Sequence, residues 1–180
     1  TASVIKDNTA DYGAGIRCDL GSSPEITDVI ILGNTATFGN GGGIHSSSSS
    51  SNPSLTNVTI SGNSATHGGG GLYCSNYSNP VLNYVTFYNN TVTDNSWYVG
   101  GGGLMAHEYA APVLINVTFS ENSSFNGGAI FCRKFANPVL VNSILWNNSP
   151  NEIQFCQYST YDGPNDLIVA YSDVQGGEEG

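Results

Sequence analysis

The sequence has few charges and very few basic residues. Only 10% of its 180 residues are charged, against about a quarter in an average domain, and 4 Lys and Arg stand against 14 Asp and Glu, so the formal net charge is −10. A surface this acidic repels phosphate backbones and anionic lipids, so we expect no nucleic-acid partner. The sequence also lacks an apolar run close to the roughly 20 residues that span a bilayer, and we expect no membrane insertion.

Signs of helices are missing as well. No stretch repeats its apolar residues at the 3.6-residue period of a helix between capping residues. Hydrophobic residues nevertheless make up 39% of the chain, which is enough to bury a core. Short apolar alternations such as Leu82, Val85 and Phe87 are bounded by Gly, Pro and Asn, and this pattern predicts short strands.

One segment of 12 residues recurs along the chain. Clear copies cover residues 52–63, 79–90, 111–122 and 137–148, and a weaker copy covers 23–34. In all five copies a proline lies 10 residues before the final asparagine: Pro24 and Asn34, Pro53 and Asn63, Pro80 and Asn90, Pro112 and Asn122, Pro138 and Asn148. Because this spacing is constant, each copy is one structural unit.

A glycine motif lies between the copies. Its aliphatic residues, which are Ile16, Ile44, Leu72, Leu104 and Ile130, follow one another at intervals of 28, 28, 32 and 26 residues. The variation in length falls between the asparagine and the glycines, which is typical of a surface loop on a constant unit. The longest such loop is residues 91–99.

These repeats predict an all-β fold, a parallel β-solenoid of about six coils, because one short unit cannot close a core and neighbours must stack. We expect a single domain over 1–180, in which residues 1–8 end a preceding coil, 9–148 form five regular repeats and 149–180 form a divergent C-terminal coil. The recurring asparagines would form an internal amide ladder: Asn34, Asn63, Asn90, Asn122 and Asn148.

The alternation of GGGI or GGAI with ends such as residues 87–90 (FYNN) and 119–122 (FSEN) resembles the right-handed parallel β-helix repeat proteins of the pectin-lyase-like superfamily. It is also similar to the repeats of polymorphic outer-membrane proteins and other bacterial surface proteins. The resemblance covers about residues 5–148 and implies a right-handed helix and an extracellular or cell-surface location. It implies little about function, because the superfamily contains lyases, hydrolases, adhesins and structural rods.

Three cysteines share one slot of the repeat: Cys18, Cys74 and Cys132. Cysteines two coils apart would lie about 10 Å from each other, which is too far for a disulfide, so we expect a stack of small inward residues. Cys156 would pair with Cys132 if the register of its coil matched, and this alternative stays open. No CxxC or His–Cys spacing indicates a metal site, and no cofactor is predicted. Calcium is compatible with so acidic a surface, but no residues can be assigned to it.

Acidic and basic residues gather at one predicted place, where His107 and Glu108 would lie next to Arg133 and Lys134 of the following coil. This arrangement is either a surface ladder with a Glu108–Lys134 ion pair or an acid/base site. The resemblance implies calcium-holding carboxylates in lyases and paired carboxylates in hydrolases. Because neither motif occurs in this sequence, we assign no catalytic residue.

Aromatic residues are predicted on outward positions. The candidate contact residues are Trp97 and Tyr98 in the longest loop, and Tyr73, Tyr88, Phe131 and Trp146 on strands. Such rings stack on sugars or pack against a neighbouring subunit. One outward column runs through Thr59, Thr86 and Thr118, but its neighbour is too irregular and bulky for an ice-binding surface.

The function predicted from these features is a non-catalytic, extracellular structural or adhesive β-helix. Residues 3–8 match the close of a repeat and neither end shows a cap, so we expect coils that stack end to end into a filament or belong to a longer surface rod. The alternative is a carbohydrate-binding or polysaccharide-degrading β-helix. Self-association and glycans are therefore the predicted partners.

Overall fold

A computed structural model describes residues 2–156 and 163–176, which form 21 β-strands and no helix. The strands are β1 (Ser3–Lys6), β2 (Thr9–Ala10), β3 (Ile16–Asp19), β4 (Glu25–Thr27), β5 (Val29–Leu32), β6 (Thr35–Ala36), β7 (Ile44–Ser47), β8 (Ser54–Ser61), β9 (Ser64–Ala65), β10 (Leu72–Ser75), β11 (Val81–Tyr88), β12 (Thr91–Val92), β13 (Leu104–His107), β14 (Val113–Ile115), β15 (Thr118–Ser120), β16 (Ile130–Arg133), β17 (Val139–Val141), β18 (Ile144–Trp146), β19 (Ile153–Phe155), β20 (Ile168–Ala170) and β21 (Asp173–Val174). No segment of these described ranges is a helix long and apolar enough to cross a membrane.

The strands form three parallel sheets, and the coils up to β12 pass through all three in turn, whereas Ser123 and Ser149 continue the short sheet only as isolated bridges. The long sheet has 11 strands, the six-stranded sheet runs from β3 to β19, and the short sheet contains β2, β6, β9 and β12. Strands pair with their counterparts one coil away, so that Ile5 faces Ile31 and Ile31 faces Ile60. This topology confirms the predicted parallel β-solenoid of about six coils.

The core is a set of inward columns that run along the solenoid. Phe87 and Phe119 are fully buried in one of these columns, and their rings stack with centroids 4.5 Å apart and an angle of 2° between the planes. Each fully buried side chain of this size contributes about 1.5–3 kcal/mol by leaving water. The core is therefore continuous from coil to coil.

The asparagine ladder joins six coils and also includes Asn8. In every step the backbone N and the side-chain Nδ2 of one asparagine donate to Oδ1 of the asparagine in the next coil, at 2.8–3.1 Å. From Asn34 onward, the second hydrogen of each Nδ2 returns to a backbone oxygen of the preceding coil, as from Asn90 to Ile60 at 2.8 Å. All the amides therefore point the same way along the axis.

A carboxylate ends this ladder. The side chain of Glu152 lies in a site where the residue is 6% exposed, and its Oε1 accepts a hydrogen bond from the backbone N of Asn148 at 3.1 Å. Its Oε2 accepts another from Asn148 Nδ2. Because the aligned amides present only donors at this end, an acceptor-only group is the chemically suitable terminus.

An aromatic stack marks the corner after the six-stranded sheet. Tyr77, Tyr109 and Phe135 have φ angles of 61°, 63° and 62°, a left-handed conformation that costs a bulky residue about 1–3 kcal/mol. Their rings stack with centroids 4.7 and 4.9 Å apart, which offsets part of this strain. The sequence analysis missed this stack, although each ring lies three residues before a repeat proline.

The last coil continues the register of the coil before it. Val169 pairs with the core residue Leu140, and Tyr171 is 91% exposed. Tyr171 adopts a φ of 52° at the corner, as Asn142 does with 50° one coil earlier.

Replacement of Glu152 by Ala should destabilise the protein by about 1–3 kcal/mol, because it removes the acceptors of the two buried donors of Asn148. Urea unfolding followed by circular dichroism measures this loss. The matched control is Glu25→Ala, at an exposed position of β4. Equal stability of the two variants would contradict the role of Glu152 as the end of the ladder.

Substitution of Gly70 by Ala should cost about 1–3 kcal/mol or prevent folding. A Cβ at this position would lie 2.6 Å from the carbonyl oxygens of Gly102 and Thr91. Gly62→Asn is the control, because the atoms nearest to a Cβ at Gly62 lie at ordinary contact distances of 3.7 Å or more and Asn89 occupies the same left-handed corner one coil later. We expect the control to change stability by less than about 0.5 kcal/mol in the same unfolding experiment.

Candidate functional site

The outer face of the six-stranded sheet carries one column of side chains: Arg17, His45, Tyr73, Met105 and Phe131. Tyr73 is 7% exposed and Phe131 is fully buried, so the prediction that these two rings are exposed is wrong. The reason is a second apolar cluster, in which Tyr73, Met105 and Phe131 pack together with Cys156 outside the main core. Phe131 is therefore not available to a partner, and Tyr73 presents only a small part of its surface.

The loop of residues 91–99 is held firmly beside this cluster. Val99 is buried, and Asn126 Nδ2 donates to the backbone oxygens of Ser96 and Val99 at 3.1 and 2.7 Å. Asp94 Oδ1 accepts from the backbone N and the hydroxyl of Ser96 at 2.9 and 2.8 Å. The hydroxyl bond from Ser96 is the main reason why the pKa of Asp94 lies below its usual value. The insertion is therefore a structured element.

Trp97 and Tyr98 lie in this loop with their rings accessible. They are 44% and 40% exposed, and they meet edge to face with centroids 5.4 Å apart. The guanidinium of Arg133 lies 5.3 Å from the centroid of Trp97 and 5.7 Å from that of Tyr98. Contacts of this kind stabilise the ring positions by about 0.5–1 kcal/mol each at exposed sites.

A pocket of about 160 Å³ opens between the loop and the sheet. It is lined by Asn40, His67, Tyr73, Tyr98, Val99, Met105, His107 and Arg133. The volume is smaller than the roughly 300–1,000 Å³ of sites for drug-sized molecules, so it accommodates a small group or one end of a larger ligand. Its wall combines aromatic and aliphatic surface with amide, imidazole and guanidinium groups.

A line of polar contacts continues from the pocket along the six-stranded sheet. The hydroxyl of Tyr73 lies 3.0 Å from His107 Nδ1, and Lys134 Nζ donates to Glu108 at 2.7 Å. Burial raises the pKa of Tyr73 to about 12. Burial also tends to raise the pKa of Glu108, but the hydrogen bond from Lys134 and the nearby positive charges bring it below its usual value. At neutral pH this line therefore contains a neutral phenol and an ionised, paired carboxylate.

The predicted ion pair between Glu108 and Lys134 is present. Both side chains are 31% exposed, so the pair contributes less than about 1 kcal/mol to stability. In this pair the carboxylate of Glu108 is bound to the ammonium group of Lys134.

His45 lies at the other end of the line, under the ring of Tyr73. The two rings stack with centroids 5.2 Å apart, and His45 Nδ1 is 3.6 Å from Asp19 Oδ1 without a hydrogen bond. Asp19 instead accepts from Arg17 Nε at 2.6 Å. Burial lowers the pKa of His45 below its ordinary 6.5, although Asp19 opposes this shift.

The cysteines lie on both sides of the six-stranded sheet. Cys18, Cys74 and Cys132 are buried in one inward column, with Ser46 and Ala106 in the coils between them. Cys156 belongs to the outer cluster, so the Cys132–Cys156 disulfide that the sequence left open is not formed. Burial raises the pKa of Cys74 and Cys132, which keeps both as thiols.

The remaining predicted contact residues lie on the outer face of the long sheet. Tyr88 and Trp146 are 43% and 53% exposed there, away from the loop of residues 91–99. Over residues 2–156 and 163–176, no group of three or more His, Cys, Asp and Glu side chains is placed to hold a metal ion.

Acidification should lower the stability of the protein between about pH 7 and 5 through His45. The unfolded chain binds a proton near pH 6.5 while the folded one resists it, so stability is full above this pH and decreases below it. His45→Gln should flatten this part of a plot of unfolding free energy against pH. His67→Gln is the control, because the His67 side chain is 42% exposed. If the slope of unfolding free energy against pH were the same in His45→Gln as in the wild type, the assignment of this pH dependence to His45 would be contradicted.

Comparison with known proteins supports the geometry of the coils. The family model described as the right-handed beta helix region matches residues 1–165 of the chain. No curated protein and no solved structure matches the sequence. The match spans the repeats, the ladder and the pocket, and it accords with the pectin-lyase-like resemblance. The chain belongs to the right-handed β-helix family.

Proposed function

We propose that this protein is a non-catalytic, extracellular adhesive β-helix that binds carbohydrate at the pocket beside the loop of residues 91–99. The observation that carries the proposal is the accessible ring of Tyr98, which lines the pocket, with the accessible ring of Trp97 next to it and Arg133 in contact with both. The extracellular location rests on the resemblance to bacterial surface repeats.

The chemistry of the pocket supports a sugar as its ligand. A sugar ring presents C–H groups on its faces and hydroxyl groups around its edge, and it therefore fits a wall with aromatic surface and polar groups. Tyr98 provides the aromatic surface, while Asn40, His67 and Arg133 provide polar groups. Because Asn126 fixes the loop to the next coil, little ordering entropy is lost on binding.

The placement of the carboxylates supports binding without cleavage. Hydrolysis of a glycosidic bond uses two carboxyl groups about 5–10 Å apart. The described residues that line the pocket include no Asp or Glu, and the nearby Glu108 is paired with Lys134. The phenol of Tyr73, whose pKa is about 12, is a poor base at neutral pH.

End-to-end stacking into a filament is supported less well than binding. The coil of β20 and β21 already stacks on β17 and β18, and Glu152 takes the donors of Asn148 within the chain, so the asparagine ladder does not extend to the end that a second copy would meet. The structural role that we propose is therefore that of a rigid support for the pocket.

Trp97→Ala should weaken carbohydrate binding by about 30-fold, because it removes an accessible ring at the edge of the pocket that also packs against Tyr98. A glycan array identifies the oligosaccharide, and isothermal titration calorimetry of wild type and variant measures the change. Trp146→Ala is the matched control, because this Trp is equally exposed on another sheet. If incubation of the bound oligosaccharide with the protein produced new reducing ends, the non-catalytic role would be contradicted. If the wild type bound no carbohydrate, or if both variants lost the same affinity, the proposed site would be contradicted.

A further inference from the structure

The outer face of the long sheet has a regular surface with a single charged side chain, which we call the flat face. It consists of two columns on β1, β5, β8, β11, β15 and β18. The first column contains Val4, Ile30, Thr59, Thr86, Thr118 and Ile144, and the second contains Lys6, Leu32, Ser61, Tyr88, Ser120 and Trp146. Of these twelve residues only Lys6 is charged, in a chain with a formal net charge of −10.

The second column alternates between large and small side chains. Leu32, Tyr88 and Trp146 are 40–53% exposed, and each is separated from the next by one serine. Strands in a sheet lie about 4.8 Å apart, so the large side chains project about 9.6 Å from one another with a gap between them. An exposed apolar surface of this kind typically marks an interaction site.

We propose that two copies of this chain associate through their flat faces, with the solenoids antiparallel and the two-fold axis along the strand direction between β8 and β11. This symmetry brings each large side chain of one copy opposite a small side chain of the other. Tyr88 then faces Ser61 of the second copy, and Leu32 faces Ser120. The face is therefore complementary to itself, as a two-fold interface requires.

The remaining positions agree with the same register. Trp146 faces Lys6 of the second copy, so the one charge on the face meets the ring of an indole. In the first column Val4 faces Ile144, and the other pairs join β-branched side chains. These flat, branched side chains allow the two sheets to approach to about 10 Å.

Other registers are less complementary. With the axis on β11, Tyr88 would face Tyr88 of the second copy and Leu32 would face Trp146, which places large side chains against each other. With the axis one strand spacing beyond the proposed one, between β11 and β15, Ile30 would face Asp173 of the second copy, because Asp173 continues the first column on β21. This would bury a carboxylate against an aliphatic side chain.

The size of the flat face predicts a weak association. Six strands at 4.8 Å give a length of about 29 Å, and the two columns are about 10 Å wide. Stable dimers bury about 800 Å² per partner, and this face of about 290 Å² is well below that value, so the two copies associate weakly. The negative net charge also repels two copies, and added salt should strengthen the dimer.

Sedimentation velocity between about 5 and 500 μM tests the proposal, because weak dimers dissociate within this range. We expect the weight-average sedimentation coefficient to rise with concentration. Ser61→Tyr and Tyr88→Ser should each weaken the dimer at least about tenfold, because each disturbs the pairing of a large with a small side chain. The double variant Ser61→Tyr/Tyr88→Ser should restore it, since the two partners merely exchange sides.

Two further variants complete the test. Lys6→Glu should weaken the dimer in the proposed register and not in the register one strand further, where Lys6 faces no strand. Phe38→Ser changes a side chain that is 69% exposed elsewhere and should leave the dimer unchanged. Circular dichroism verifies that each variant is folded. A monomer at all concentrations, or a dimer insensitive to Ser61→Tyr, overturns the proposal, and insensitivity to Lys6→Glu overturns the register.

Discussion

The structure depends on the hydrogen bonds that each coil makes with the next. A single coil leaves its backbone groups and its inward asparagine unsatisfied, and a buried polar group without a partner costs about 1–3 kcal/mol. The parallel ladders and the asparagine ladder remove this cost in every coil, as where Asn63 donates twice to Asn90 and once to the backbone of Ile31. Because all these amides point the same way, the ladder has two chemically different ends, and Glu152 matches the end that presents donors.

The same dependence explains the strained corners. A coil closes only if several residues with side chains adopt positive φ, and Tyr109 with a φ of 63° is an example. The strain persists because its neighbours in the adjacent coils make the same turn and their rings stack. Stacking thus connects the local conformation of one coil to that of the next. The sequence repeats because each coil makes the same strained turn and stacks the same kind of side chain on it.

Most of the fold was predictable because the sequence repeat determines which residues of adjacent strands pair with each other. Residues that share a slot, such as Thr59 and Thr86, face each other in adjacent strands. The same spacing placed Cys74 and Cys132 in one inward column. What a repeat specifies is the direction of a side chain within its own coil, and this information is enough to place the ladder and the core.

The repeat does not specify what covers an outward side chain. Tyr73 points out of the six-stranded sheet, and yet it is buried, because it packs in a second cluster with Met105 and Phe131 of its own column and with Cys156, which lies outside the regular repeats. Glu152 escaped prediction for the same reason, since it follows the last regular unit and approaches Asn148 from outside the pattern. The candidate site is made of such departures from the repeat, so sequence periodicity could locate the loop of residues 91–99 but not its pocket.

The proposed ligand site and the proposed dimer interface lie on different sheets, and this separation has a consequence for binding. A pocket of about 160 Å³ contacts only a small part of a polysaccharide, so one site alone holds it weakly. A dimer through the flat face carries two pockets on one rigid body, and a polymer bound at one pocket meets the second at an effective concentration in the millimolar range when its length matches the span. Weak pairing of two chains would then be sufficient, because the polymer itself holds both copies together.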